Sequence, residues 1–363
     1  MRKYELALSS TYVPSWTVVD AIRELYQNAL DEQTLNPANK VRVNYDHEDR
    51  LVISNTQSVL DISTLLLGST TKQDEGATIG QFGEGYKLAA LVLLRLGKTM
   101  EIHNLGKAEI WRPRFVNSKR YGAPILTFFV EDIENTPDIA APLLSFIIDG
   151  ITPEEYSEIV KSNLHLQPPI TNFRPSARGK ILFDKKYQGN VYVNGLFICN
   201  DSELLYGYDI KPAYLDINRD RHLVSNFDLL WTTSKMITES TGMLSDILST
   251  NSRDALYASA HITTEMADTL YREFINLHGE MAVPVTTQEE MQLVPPGYTP
   301  IIVSLAYMQV LKRSKLYTLP EPDSGSLVER MNLWYKQSRP YLPNIMCDRF
   351  EALLSELTKV MAK

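Results

Sequence analysis

Glu24-Leu25-Tyr26-Gln27-Asn28-Ala29-Leu30-Asp31 is the stretch on which the reading of this chain turns. From Thr17 to Asp31 the apolar residues Val18, Ile22, Leu25 and Ala29 recur every three or four positions, which predicts an amphipathic helix. Ser15 is its expected N-cap, and Asn36-Pro37 its stop. At ~100° per residue, Glu24, Asn28 and Asp31 fall within about 60° of one another, well round from the apolar stripe. A carboxylate can orient or deprotonate a water, and an amide oxygen suits a hard cation such as Mg²⁺. The same spacing also builds an ordinary solvated helix face.

Working outward, two segments bear on the same chemistry. Gly80-Gln81-Phe82-Gly83-Glu84-Gly85 precedes a helix expected from Tyr86 to Leu96. Glycines let backbone N–H groups approach phosphates, and a helix N-terminus favours an anion. No Lys-Ser/Thr follows, so this is not a P-loop, and its glycine order is not that of the dinucleotide fingerprint. By itself it also reads as a flexible turn. The second segment, Leu51 to Ser54, is a strand paired through a polar hairpin with Val41 to Tyr45, and it leads to Asn55. Met100 to His103, Ala108 to Arg112 and Ile125 to Glu131 are further expected strands, and residues 61–79 a helix followed by a polar loop.

In this order the segments resemble the motifs of the GHKL ATPases: gyrase-type topoisomerases, heat-shock chaperone ATPases, histidine kinases and MutL. Glu24 to Asp31 is similar to their N box, and Leu51 to Leu60 stands where their adenine-reading box stands. Gly68-Ser69-Thr70-Thr71-Lys72 resembles the start of their ATP lid, and Ile79 to Tyr86 the chaperone branch's glycine box. Two later stretches, Val191 to Ile198, expected as a strand, and Leu215 to Asp220, resemble second-domain segments of the chaperone and MutL branches.

The resemblance implies an α+β chain. A Bergerat-type α/β sandwich that binds ATP is expected over residues 1–167, a transducer-like middle domain over 168–290, and a mainly helical C-terminal region over 291–363. Pro168-Pro169 with Pro175, and Pro295-Pro296-Gly297, are the expected breaks. It further implies that Glu24 polarises the attacking water, Asn28 holds Mg²⁺, and Arg219 reaches the γ-phosphate, with Arg221 and Lys180 as competitors for that last role. Asp31, Asn55, Thr70, Thr71, Lys72, Gly80, Gln81, Phe82, Gly83 and Gly85 would line the nucleotide under a lid spanning roughly residues 61–84. The implied activity is slow ATP hydrolysis by an ATP-gated clamp on a protein client, closing as a homodimer when ATP is bound.

The adenine-reading box departs from the family pattern. Asn55 replaces an Asp, Gln57 and Val59 stand where two glycines belong, and Ala123 replaces a Thr that contacts adenine. An amide can present either its oxygen or its N–H₂, so GTP discrimination is expected to weaken by about 1–3 kcal/mol. Glu24 stands where histidine kinases generally carry Asn, and none of the six histidines has the setting of a phosphoacceptor. Two alternatives remain: an ATP-responsive scaffold with little turnover, and a nucleic-acid factor of the MutL or topoisomerase kind.

Composition sets the outer bounds. The 363 residues carry 36 Lys and Arg against 44 Asp and Glu, a formal charge of -8, which argues against a globally basic nucleic-acid binder. Hydrophobic residues at 44% and charged residues at 22% exclude a disordered or low-complexity chain. Two cysteines, Cys199 and Cys347, exclude a disulfide framework and a structural zinc site. The most apolar run, Leu88 to Leu94, ends at Arg95 and is far shorter than the ~20 residues of a membrane helix. A soluble, cytoplasmic protein is expected.

Overall fold

The computed structural model describes residues 1–46, 48–66, 85–134, 142–217, 223, 225–240, 242–250, 252–295, 297–318 and 327–361. The chain is mixed α/β and divides into two compact units, Met1–Leu229 and Leu230–Lys363.

The first unit opens with β1 (Arg2–Ser9) and α1 (Val18–Leu35), followed by β2 (Val41–Tyr45), β3 (Arg50–Asn55) and α2 (Gly85–Arg95). Strands β4 (Thr99–Asn104), β5 (Glu109–Ser118), β6 (Ala123–Asp132) and β7 (Leu144–Asp149) complete an antiparallel sheet of order β1-β6-β5-β4-β7-β3-β2. Alternation decides its two faces. Leu51, Ile53, Ile102, Trp111, Phe128 and Ile148 are fully buried, on the side where α1 packs on β3 and α2 on β4 and β5. The alternate positions carry an ion network: Arg112 Nε donates to Glu101 at 2.7 Å, Arg112 also bonds Glu131, and His103 lies 3.1 Å from Glu101. β1 and β7 were not expected from the sequence, although Tyr4, Leu6 and Leu8 alternate along β1 and β7 carries the apolar run Phe146-Ile147-Ile148.

Helix α3 (Pro153–Lys161) follows, with Thr152 and Glu155 forming a capping box and Pro153 at its first position. A second sheet holds β8 (Phe173–Ser176), β9 (Gly179–Leu182), β10 (Asn190–Val193), β11 (Leu196–Asn200) and β12 (Gly207–Ile210), in the order β11-β10-β12-β9-β8. Two sequence expectations are corrected here. Val191 to Ile198 is not one strand: Asn194 (φ 48°) and Gly195 (φ 78°) make the tight Asn-Gly turn between β10 and β11. Pro175 is not in a linker but in β8, the edge strand, where a missing N–H costs no ladder bond.

The second unit contains most of α4 (Asn226–Thr238), then α5 (Leu244–Ser249), α6 (Thr264–His278), β13 (Ala282–Val285), α7 (Gln288–Met291), β14 (Thr299–Ile302) and α8 (Leu305–Leu311). β13 and β14 pair in parallel. A helical hairpin of α9 (Leu327–Ser338) and α10 (Asn344–Met361) ends it. Among the described residues, no helix is long and apolar enough to cross a membrane.

Candidate functional site

The N-cap of α1 is Thr17, two residues after Ser15, the serine that the sequence suggests. Thr17 Oγ1 accepts from the Asp20 amide, while Asp20 accepts from the Thr17 amide at 2.8 Å, a reciprocal box that a Ser15 cap would lack. The apolar stripe Val18, Ile22, Leu25 and Ala29 is buried as the spacing predicts. The polar face is not solvated, however. Glu24 is 4% exposed, Gln27 1% and Asp31 fully buried, with Asn28 half-buried between them. A face of four polar side chains taken out of water costs free energy unless it meets partners or a ligand, so this is not an ordinary surface stripe.

What covers the face is the start of α2. A Cβ on Gly85 would lie 2.9 Å from Glu24 Oε2 and 3.1 Å from Asn28 Nδ2. What singles out glycine here is this close approach, not a left-handed backbone. Next to it, the Tyr86 hydroxyl is hydrogen-bonded to Thr64 at 2.9 Å, and burial pushes that phenol well above its usual range. Lys87 is fully buried, with Nζ donating to the carbonyls of Thr64 and Leu66 at 2.7 and 2.9 Å. A lysine in the first turn opposes the helix dipole, and its burial calls for such acceptors. Lys87 was missed in the sequence; its signal is a charge at the head of an otherwise apolar run, Gly85 to Leu94.

Asn55 ends β3 beside α1, buried, with Nδ2 donating to the carbonyl of Ala29 at 3.0 Å. That bond fixes the amide: the flipped form would set oxygen against oxygen. The expectation that either end of Asn55 can read a base does not survive this contact. The absent glycines are accounted for as well. Neither Gln57 nor Val59 has positive φ, Gln57 accepts from Asn36 at 3.1 Å, and Val59 packs where a Cβ on Gly106 would stand. Asn104 holds the end of this loop, accepting from the Leu60 amide at 3.1 Å and donating to the Leu60 carbonyl at 2.8 Å. Ala123 lies on β6, away from β3. The strand beside β3 is β7, which sets Leu144 opposite Asn55 and Ser145 opposite Ser54.

Thus Glu24, Asn28, Asp31, Asn55 and Gly85 are gathered around the middle of α1. Thr70, Thr71, Lys72, Gly80, Gln81, Phe82, Gly83, Arg219 and Arg221 lie outside the described residues. Lys180, the remaining cationic competitor, sits on β9 with Nζ 5.4 Å from the Phe173 ring. Gln27 adds a feature the sequence did not flag: both amide atoms are buried without a hydrogen-bond partner among the described residues. Among those residues there is also no group of three or more His, Cys, Asp or Glu side chains placed to hold a metal ion. Asn28 carries one neutral amide oxygen, a donor type suited to a hard cation such as Mg²⁺.

The second sheet meets α1 through an aromatic contact. His165 lies 5.9 Å from the Tyr26 ring, and its Nε2 is 2.8 Å from the Asn194 carbonyl. Gly195 donates its amide to Asp209 Oδ1 at 2.7 Å, and burial pushes the Asp209 carboxyl up despite that bond. The two-residue turn thus touches the helix that carries Glu24 and Asn28 through one ring.

Comparison with known proteins places this turn in the part of the chain that is shared. Residues 160–242 match the family model described as the Mycoplasma pneumoniae MPN635 N-terminal domain. An uncharacterised protein of Mycoplasma pneumoniae is 24% identical over 238 residues, covering 62% of this chain and 92% of that protein.

Proposed function

We propose that the first unit binds Mg·ATP in a Bergerat-type α/β sandwich and hydrolyses it slowly, so that nucleotide gates a conformational clamp on a protein partner. The observation that carries this reading is the convergence of Glu24 and Asn28 on Gly85, the residue at which the glycine-rich segment becomes a helix. A helix N-terminus approached this closely by a carboxylate and an amide supplies phosphate-binding amides, a cation ligand and a base together. Glu24 would orient the attacking water and take its proton. Asn28 would offer its carbonyl oxygen to Mg²⁺, which when bound neutralises phosphate charge. Asn55, with its nitrogen held by Ala29, would present oxygen to an amino group on the base. Arg219 is proposed as the cation that meets charge developing on the γ-phosphate.

The burial of Glu24 favours slow turnover, since a carboxylate taken out of water is less open to an attacking water. This makes a nucleotide-switched binding protein the second reading. Titration calorimetry with Mg·ATP, combined with phosphate release, separates the two. The expected outcome is binding by wild type, loss of turnover with retained binding in Glu24→Ala, and weakened Mg-dependent binding in Asn28→Ala. Absence of ATP binding by wild type would overturn both readings.

A further inference from the structure

The helical hairpin at the end of the second unit has one face closed and one face open. Tyr335 stacks on Phe350 at 4.9 Å, and its hydroxyl donates to Glu351 at 2.5 Å. Tyr335, Cys347 and Leu354 are buried. Round from them on α10 run Met346, Phe350, Leu353 and Leu357, at spacings of four, three and four. That is the seam of a heptad repeat, the pattern that buries itself against a second helix. Met346 is 56% and Leu353 61% exposed. Trp334 of α9, 50% exposed and 5.1 Å from Phe350, widens the strip.

Charge at the flank of the seam identifies the occupant. Arg349 and Glu356 each precede a seam residue and lie seven positions apart, so they share one heptad position. Both are exposed, and neither is held in an ion pair among the described residues. If two copies of α10 run antiparallel about a two-fold between Ala352 and Leu353, Arg349 faces the partner's Glu356, and the two-fold repeats the pair on the other side. A symmetric dimer demands this self-complementarity of a single surface. A parallel pairing would instead set Arg349 against the partner's Leu354, with no charge to answer it.

We propose that this face of α10 is the interface for a second copy of the chain, with two α9–α10 hairpins meeting antiparallel through the Met346–Leu357 seam. The contact is independent of nucleotide and does not rest on the proposed ATPase activity. Sedimentation velocity of the full chain, without nucleotide, tests it. Wild type is expected to dimerise with concentration. Leu353→Glu is expected to weaken the dimer by at least about 100-fold, since two leucines leave the seam. Its circular dichroism should be unchanged, because Leu353 is exposed within one copy. Arg349→Glu should weaken the dimer about tenfold, and Arg349→Glu combined with Glu356→Arg should restore it. A wild type that stays monomeric at ~100 µM, well above the micromolar Kd typical of weak specific pairs, overturns the proposal. So does a dimer untouched by Leu353→Glu. Failure of the double exchange to restore the dimer overturns the antiparallel register.

Discussion

Replacing Gly85 by Ala separates the fold from the proposed chemistry more cleanly than any change to a polar side chain. Gly85 is the first residue of α2 and does not use a positive φ, so alanine can adopt its backbone. In a helix alanine is favoured over glycine by up to about 1 kcal/mol. Against this stands the new methyl group, 2.9 Å from Glu24 Oε2, where ordinary contact begins near 3.4 Å. The carboxylate must therefore retreat by about 0.5 Å, and Asn28 by somewhat less. Both contacts are with the ends of side chains, which rotate at small cost, so net stability should change by less than about 1 kcal/mol. Turnover should respond far more, because catalytic groups must be held to about 0.5 Å and misplacement by 1 Å costs about a hundredfold. At least a tenfold fall in phosphate release is expected, with a denaturant midpoint close to wild type. Turnover within twofold of wild type would refute the placement of Glu24 and Asn28 at the reacting centre. A loss of stability beyond about 2 kcal/mol would refute the claim that only side-chain ends are displaced.

The held amide of Asn55 predicts that wild type prefers ATP over GTP in direct competition, and that Asn55→Asp destabilises the first unit by about 1–3 kcal/mol, since a carboxylate oxygen would then face the Ala29 carbonyl. An unchanged denaturant midpoint in that variant would mean the bond contributes nothing. Asp209, raised by burial, predicts a pH dependence. The folded state binds its proton more tightly than the unfolded chain, so stability falls as pH rises from 3.8 through the raised value. Asp209→Asn keeps an acceptor for the Gly195 amide and removes the buried charge. It should raise the melting temperature at pH 7 but not at pH 3, and a lower melting temperature at pH 7 would contradict the assignment.

The helix of Glu24, the β2–β3 pair, β4 to β6 and α2 were legible in the sequence, because each has a strong period of its own. The Asn-Gly turn was legible too, since only such a pair turns a two-residue hairpin with both φ positive; reading Val191 to Ile198 as one strand overlooked it. Sequence spacing alone placed Glu24, Asn28 and Asp31 on one face of α1, because that follows from the helix repeat. It could not say whether water or protein covers that face. Burial is decided by what packs there, and what packs there is Gly85, distant in sequence. The orientation of Asn55 depends likewise on the Ala29 carbonyl 26 residues away, and the identity of its neighbouring strand on β7 inserting between β3 and β4. Lys87 looked like an interruption in an apolar helix until the carbonyls of Thr64 and Leu66 came within reach of its ammonium. Local period and turn chemistry are properties of a few adjacent residues and can be read from them. Close approach, amide orientation and the satisfaction of a buried charge are relations between distant segments, and only the folded chain sets them.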